Sequence, residues 1–353
     1  MSRYSTLLTR LPEETDALLV TSEKNQRYFT GFPFTDGYVL LTRKGAYLFT
    51  DFRFIEAARR EARPEFEVLC SNSLKSVREY LEKDGVKTLG YEDWSLSCHA
   101  LEGLKKALPG ITLTPAGTVI EDMRVYKDEE EIGCIVKAQR IAEAALEHLL
   151  RVIRPDMTEI EVAAELELAM RRGGASGTSF DTIAVSGTLS ACPHGVPRPV
   201  KLEKGFLTLD FGALYKGYCS DMTRTFVLGK ADGEMKKVYD TVLRAQTAAI
   251  DFVRLGVDCG EVDRVARDLI DGEGYRGCFG HGLGHGVGMF IHERPGFNAA
   301  NKGVKVAPGH VLTVEPGIYL EGKYGVRIED MLVCHADSVE DITLAPKNLT
   351  EIF

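Results

Sequence analysis

A chain of 353 residues exceeds what one compact core usually supports, so two domains are expected. Its 43 Lys and Arg against 52 Asp and Glu leave a formal charge of −9, and no basic run interrupts that balance, which argues against nucleic-acid or anionic-membrane partners. No stretch approaches the roughly 18 apolar residues of a membrane span, the opening MSRYSTLLTRLPEE lacks the apolar region of a signal peptide, and eight cysteines without CxxC spacing look like cytosolic thiols.

The first 122 residues alternate strand-like and helix-like segments. DALLVTS, YVLLTRKGAYLFTD, FEVLC and VKTLGYED have the apolar, β-branched and aromatic runs of strands. FRFIEAARREA, SLKSVREYLEKDG and CHALEGLKKALPG have helical apolar spacing, the last two with stops at Gly85 and Gly110. That alternation predicts a small α/β domain with a mixed sheet. It holds no phosphate-loop glycine pattern and no catalytic cluster. The charged, weakly periodic VIEDMRVYKDEEE marks the expected boundary between domains of residues 1–122 and 123–353.

Beyond it, Asp128 and Glu131 form a capping-box pair for a helix through about Arg151, with Ile132, Ile135, Val136 and Ile141 on its buried side. Thr158 and Glu161 form a second pair before VAAELELAMRRGG. One hundred residues later RLGVDCGEVDRVARDLIDGEG repeats the design. Arg154, Glu161, Val162 and Gly174 match Arg254, Glu261, Val262 and Gly274, and Asp258 takes the capping place of Thr158. Each copy precedes a β-rich stretch carrying acidic residues. The pattern reads as an internal duplication, two αβ halves with a ligand cleft between their sheets.

In the first β-rich stretch, TLDFGALYKGYCSDMTRTF reads as two strands joined by a Gly-containing turn. Asp210 interrupts the apolar run of Leu207, Leu209 and Phe211, and Asp221 follows eleven residues later. Taken alone, Asp210 is equally a capped strand end or a salt bridge. In the second stretch Glu315, within GHVLTVEPGIYL, and Glu329, within YGVRIEDMLVC, also interrupt apolar strands. A carboxylate among apolar neighbours is costly without a partner. Four of them, with one imidazole from FGHGLGHGVGMFIHERPG, make an oxygen-rich donor set for two divalent cations bridging a water. Manganese or cobalt suits such a set, with iron or zinc as alternatives, and a thiol-rich structural zinc site is excluded.

The order Asp210, Asp221, His285, Glu315, Glu329 resembles that of the pita-bread metallopeptidase family, which includes aminopeptidase P, prolidase and methionine aminopeptidase. Three motifs carry the resemblance: DFGALYKGYCSDMTRTF, GHGLGHGVGMFIHE, and TVEPGIY with GVRIED. It covers about residues 120 to 353, and the whole chain once NQRYFTGF, similar to the amino-terminal domain of Xaa-Pro enzymes, is included. The resemblance implies an α/β amino-terminal domain of the creatinase type followed by an α+β pita-bread domain with a pseudo-twofold duplication. It implies that Asp210 chelates the first of two metals and that Asp221 faces one or both. His285 and Glu315 would complete the second metal's shell, with Glu329 bridging the pair. Glu315 would also take a proton from the metal-acidified water and pass it to the leaving nitrogen.

By the same resemblance His194, His281, His292 and Arg327 belong to the active site. His194, His281 and Arg327 have plain alternatives: a surface loop histidine, a cap on the glycine-rich turn and a cross-strand ion pair. His99, His148, His310 and His335 have no such support and read as structural or exposed. The implied activity is hydrolysis of the bond before proline in peptides with proline in second position, by a cytoplasmic homodimer. HERPGF puts Gly296 where similar prolidases carry an arginine for the substrate carboxylate. That favours an Xaa-Pro aminopeptidase over a dipeptidase, although Arg294 and Arg327 are candidates for the same role. A methionine aminopeptidase-like enzyme, a creatinase-type metal-independent hydrolase and a non-catalytic binding module are further alternatives, and the last two fit poorly with five retained ligands.

Overall fold

The computed structural model describes residues 2–353, and the chain divides into two compact units after Met123. In the first unit Arg3–Arg10 (α1), Ala17–Val20 (β1), Glu23–Thr30 (α2), Tyr38–Thr42 (β2), Ala46–Thr50 (β3) and Ile55–Glu61 (α3) come first. Phe66–Cys70 (β4), Leu74–Asp84 (α4), Thr88–Tyr91 (β5), Cys98–Ala107 (α5), Thr112–Pro115 (β6) and Val119–Arg124 (α6) follow. The six strands form one mixed sheet in the order β4-β3-β2-β1-β5-β6. β2 runs antiparallel to both neighbours and the other pairs are parallel. Leu19, Leu40 and Phe49 of the sheet pack with Val77 and Leu81 of α4 and Leu104 of α5.

The sequence spacing misses α1, α2, β6 and α6, which are short or polar. The start of α2 is secured from a distance, because buried Glu92 accepts from the Ser22 amide at 2.9 Å and from Asn25 Nδ2 at 2.6 Å. α4 stops at Gly85, where φ is 73°, as expected, whereas α5 is capped by Leu108 rather than Gly110. The charged segment expected as a boundary contains α6.

The second unit opens with Glu129–Val152 (α7) and Glu159–Arg172 (α8), and both expected capping boxes form. Gly177–Thr178 (β7), Ile183–Ser186 (β8), Gly205–Phe211 (β9), Ala213–Tyr215 (β10), Tyr218–Cys219 (β11) and Met222–Leu228 (β12) follow. Then come Gly233–Phe252 (α9) and Cys259–Ile270 (α10), then Gly284–Gly286 (β13), Glu293–Phe297 (β14), Val311–Val314 (β15) and Gly317–Leu320 (β16). Tyr324–Arg327 (β17), Asp330–Cys334 (β18), Val339–Asp341 (β19) and Glu351–Ile352 (β20) complete it. No helix among the described residues is long and apolar enough to cross a membrane.

Two helix pairs each cover a curved sheet. Leu207, Leu209 and Phe211 of the sheet β20-β12-β9-β8 share a core with Leu146, Leu149, Val162 and Leu166 of α7 and α8. Leu312, Val314 and Leu332 of the sheet β14-β13-β15-β18-β19 share another with Val238, Val242, Val262 and Ala266 of α9 and α10. The repetition reaches single residues: the loop entering α8 is bridged at Thr158↔Lys201, and the loop entering α10 at Asp258↔Lys305. Asp258 caps α10 through the Gly260 amide, without a reciprocal bond from Glu261.

TLDFGALYKGYCSDMTRTF holds four strands rather than two. β9 and β12 pair from Gly205↔Leu228 to Phe211↔Met222. Between them β10 and β11 peel off into a small sheet with β7, turning at Lys216 (φ 49°) and Gly217 (φ 88°).

Candidate metal centre and its cleft

A cleft of about 580 Å³ in the second unit is lined by Asp210, Asp221, His285, Glu315 and Glu329, together with His194, His281, His292 and Arg327. Of the four carboxylates only Asp210 lies within a strand. Asp221 falls between β11 and β12, Glu315 between β15 and β16, and Glu329 between β17 and β18. This corrects the expectation of four strand-embedded carboxylates. At these breaks the chain passes from one sheet to another, and each freed amide finds a different acceptor. The Glu315 amide donates to Leu283 O at 2.7 Å and the Glu329 amide to Thr223 O at 3.1 Å. The sheets thereby deliver their carboxylates to a common point.

His285 stands on the three-residue strand β13 between two glycines. A Cβ at Gly284 would lie 1.9 Å from Thr313 O, so only glycine admits the close approach of β13 to β15. His285 Nδ1 lies 3.1 Å from the carbonyl of Gly286, which makes it the protonated nitrogen. The Nε2 lone pair then faces Asp221 Oδ2 at 3.5 Å and Glu315 Oε1 at 3.4 Å. Burial pushes the ring pKa down to about 4 against the opposing pull of the Gly286 carbonyl, so the imidazole is neutral. An acceptor facing acceptors is unfavourable unless a cation sits among them.

The carboxylates support the same requirement. Donor atoms of Asp221, His285 and Glu329 lie within 4.8 Å of one another. Asp210 and Glu315 stand outside that tight group but line the same cleft. Burial, and then the charges of Glu329, Asp210 and Glu315, drive the Asp221 carboxyl well above its ordinary range. Glu329 is raised by burial and then by Glu315 and Asp210. Burial also raises Glu315 to about 8, with Arg327 opposing. Asp210 Oδ1 and Glu329 Oε1 are buried without a hydrogen-bond partner. Orphaned anionic oxygens in mutual repulsion, joined by one imidazole lone pair, fit divalent cations.

Arg327 closes one side. Its NH2 donates to Asp210 Oδ2 at 2.6 Å, its NH1 to Tyr319 Oη at 2.8 Å and its Nε to Thr223 Oγ1 at 3.1 Å. Thr223 Oγ1 in turn donates to Glu329 Oε2 at 2.7 Å. His281 Nδ1 meets Gly282 O at 2.8 Å, so its Nε2 accepts from Tyr319 Oη at 2.9 Å. Burial lowers the His281 pKa to about 4, which keeps that acceptor nitrogen unprotonated. The His292 ring stands edge-on to His285, 4.4 Å between centres. Its pKa is lowered by burial and by His194.

Thr223, Thr313 and Tyr319 were not singled out by the sequence reading. Thr313 Oγ1 accepts from the His285 amide at 3.0 Å. Thr223 stands two residues after Asp221 and Thr313 two before Glu315, a faint signal; Tyr319 has none. Gly296, standing where similar prolidases carry an arginine, does not line the cleft. It is a packing glycine, where a Cβ would lie 2.8 Å from Gly284 O. His148 and His335 pair with Glu165 and Glu340 at 2.6 and 2.9 Å, His310 is buried against Tyr126, and His99 is exposed.

Residues 133–336 match metallopeptidase family M24, and residues 6–126 match the creatinase/prolidase N-terminal domain. A Pyrococcus horikoshii protein named Xaa-Pro dipeptidase is 37% identical over 95% of this chain and 94% of its own length. A solved structure described as an Xaa-Pro dipeptidase from Bacillus anthracis is 39% identical, with a TM-score of 0.94 over 99% of each chain. Another, described as an X-Pro aminopeptidase from Thermotoga maritima, is 34% identical, with a TM-score of 0.93 over 98% of this chain and 100% of that one. The chain belongs to metallopeptidase family M24, joining a creatinase/prolidase-type amino-terminal domain to a pita-bread metallopeptidase domain.

Proposed function

We propose that the protein is a two-metal Xaa-Pro aminopeptidase, releasing the first residue from peptides with proline in second position. Asp210, Asp221, His285, Glu315 and Glu329 would hold the metals, manganese first among cobalt, zinc and iron because carboxylate oxygens dominate the set. When bound, the cations supply Lewis acidity toward the scissile carbonyl and acidify a water.

The chain's own groups account for the rest. The bond before proline is a tertiary amide whose nitrogen carries no hydrogen, so the leaving nitrogen must receive a proton. Glu315, which lines the cleft, is the group for holding and delivering it. His281 has both nitrogens engaged and positions Tyr319. Among the described residues neither His194 nor His292 has a hydrogen-bond partner within the protein, which leaves both rings for the substrate, His292 beside the leaving residue.

One observation carries the aminopeptidase reading. Among the described residues Arg327 is the only arginine or lysine lining the cleft, and its three nitrogens are taken by Thr223, Tyr319 and Asp210. A dipeptidase needs a cation for the free carboxylate of proline, and the lining offers no second one beside this arginine, which already holds Asp210. The Xaa-Pro dipeptidase names of similar proteins favour the second reading. Comparing kcat/KM for an Xaa-Pro dipeptide and the matching Xaa-Pro-Xaa tripeptide tests the choice; a marked dipeptide preference refutes the first reading. A homodimer and a cytoplasmic location belong to the same proposal, the latter supported by eight cysteines, none of them in a disulfide.

A further inference from the structure

Glu293 follows His292 directly but does not line the cleft. Its carboxylate, with a side chain 4% exposed, is sealed between two cations: Arg124 Nε at 3.3 Å and Lys127 Nζ at 3.0 Å, on side chains 8% and 2% exposed. The Phe290 amide donates to Glu293 Oε1 at 3.1 Å and closes the loop 290–293. The Arg124 guanidinium lies 4.6 Å from the centre of the Phe290 ring. A Cβ at Gly288 would lie 2.5 Å from Glu293 Oε2, so the loop keeps a glycine where the carboxylate enters. Lys127 is itself anchored, its amide donating to Gly309 O at 2.8 Å.

Well-packed apolar side chains would stabilise such a site as well as a buried ion cluster does. What the cluster adds is direction: two cations and an amide allow the carboxylate one position, and with it the backbone of residues 290–293. That backbone carries His292. We propose that Glu293, clamped by Arg124 and Lys127, is a positioning residue that sets the orientation of the His292 ring in the cleft. The inference rests on the reading of His292 as a substrate-facing group.

A double-mutant cycle of Glu293→Gln with His292→Ala tests it. Glu293→Gln lowers kcat/KM on an Xaa-Pro-Xaa peptide about tenfold, a coupling usual between groups in contact, while bound metal stays at the wild-type level. In the His292→Ala background the same change has no further effect. An equal loss in both backgrounds overturns the proposal. Should Glu293→Gln not fold, Lys127→Met takes its place in the cycle. A readout independent of activity is the His292 ring resonance in the zinc-loaded protein, which shifts in Glu293→Gln and in Lys127→Met; an unmoved resonance also overturns the proposal. If the wild type cleaves no Xaa-Pro bond, the functional reading fails, and the ring resonance still decides the positioning role.

Discussion

Arg327 NH2 donates to Asp210 Oδ2 at 2.6 Å, which fixes one oxygen of a carboxylate whose other oxygen is orphaned. The guanidinium is 3% exposed and has no spare nitrogen. Arg327→Met therefore leaves Asp210 buried beside three other carboxylates with no fixed cation. Breaking such a pair costs about 3–5 kcal/mol. Chemical denaturation of the metal-free variant should show a loss of that size. Arg327→Lys should recover only part of it, because a single ammonium cannot reach three acceptors.

Removing one repelling carboxylate should separate metal binding from folding. Asp221→Asn is expected to bind less metal and to lose nearly all hydrolysis. Stripped of metal it should melt no lower than wild type, since burial and then its like-charged neighbours drive Asp221 upward. Added metal should raise the melting temperature of the wild type markedly, with a stabilisation of about 2.7 kcal/mol at one hundred times Kd. The variant should show little of this shift.

The loop carrying His194 depends on a buried carboxylate elsewhere. Glu159 accepts from the Ser186 amide at 2.8 Å and from Arg198 Nε at 2.9 Å. Burial raises its pKa, but the bonds from Arg198 and Ser186 outweigh burial and the net shift is downward. A lowered folded pKa means stability present above the unfolded value, about 4.3, and lost as pH falls through the folded value. Glu159→Gln should thus be less stable than wild type at pH 7. The gap should close progressively below pH about 4.3, as read by urea midpoints across that range.

Behind Glu329 lies a second charge network. Arg224, 1% exposed, donates to Glu329 O and to Asp330 Oδ1, both at 2.6 Å. Gln246 Nε2 reaches Asp330 Oδ2 at 2.7 Å. Asp330→Ala leaves a buried guanidinium unpaired and should destabilise the protein by about 3–5 kcal/mol. Equilibrium dialysis should also show weaker metal binding, because Arg224 holds the backbone of Glu329.

Much of this arrangement was legible in the chain. Asp210, Asp221, Glu315 and Glu329 stand out because a carboxylate in an apolar run needs a partner, and the capping pairs Asp128/Glu131 and Thr158/Glu161 are local patterns that form as read. The Thr158 and Asp258 correspondence survives as equivalent bridges in both halves. What was hidden depends on partners distant in sequence. Spacing alone cannot show that strands break at Asp221, Glu315 and Glu329, since the break is where one sheet hands the chain to another. The close packing of Gly296 on Gly284 is hidden for a similar reason, since the two meet across strands. Tyr319 and Glu293 act through groups 8 and 169 residues away, and no local pattern announces them.

If five residues of one cleft hold two cations that peptide hydrolysis requires, titrating metal-stripped protein with manganese while following release of the first residue from an Xaa-Pro-Xaa peptide tests it most directly. No release is expected without metal, and the rate should rise to a plateau at two equivalents per chain. Full activity in the stripped, chelator-treated protein, or no release at two bound equivalents, would contradict the proposed two-metal centre.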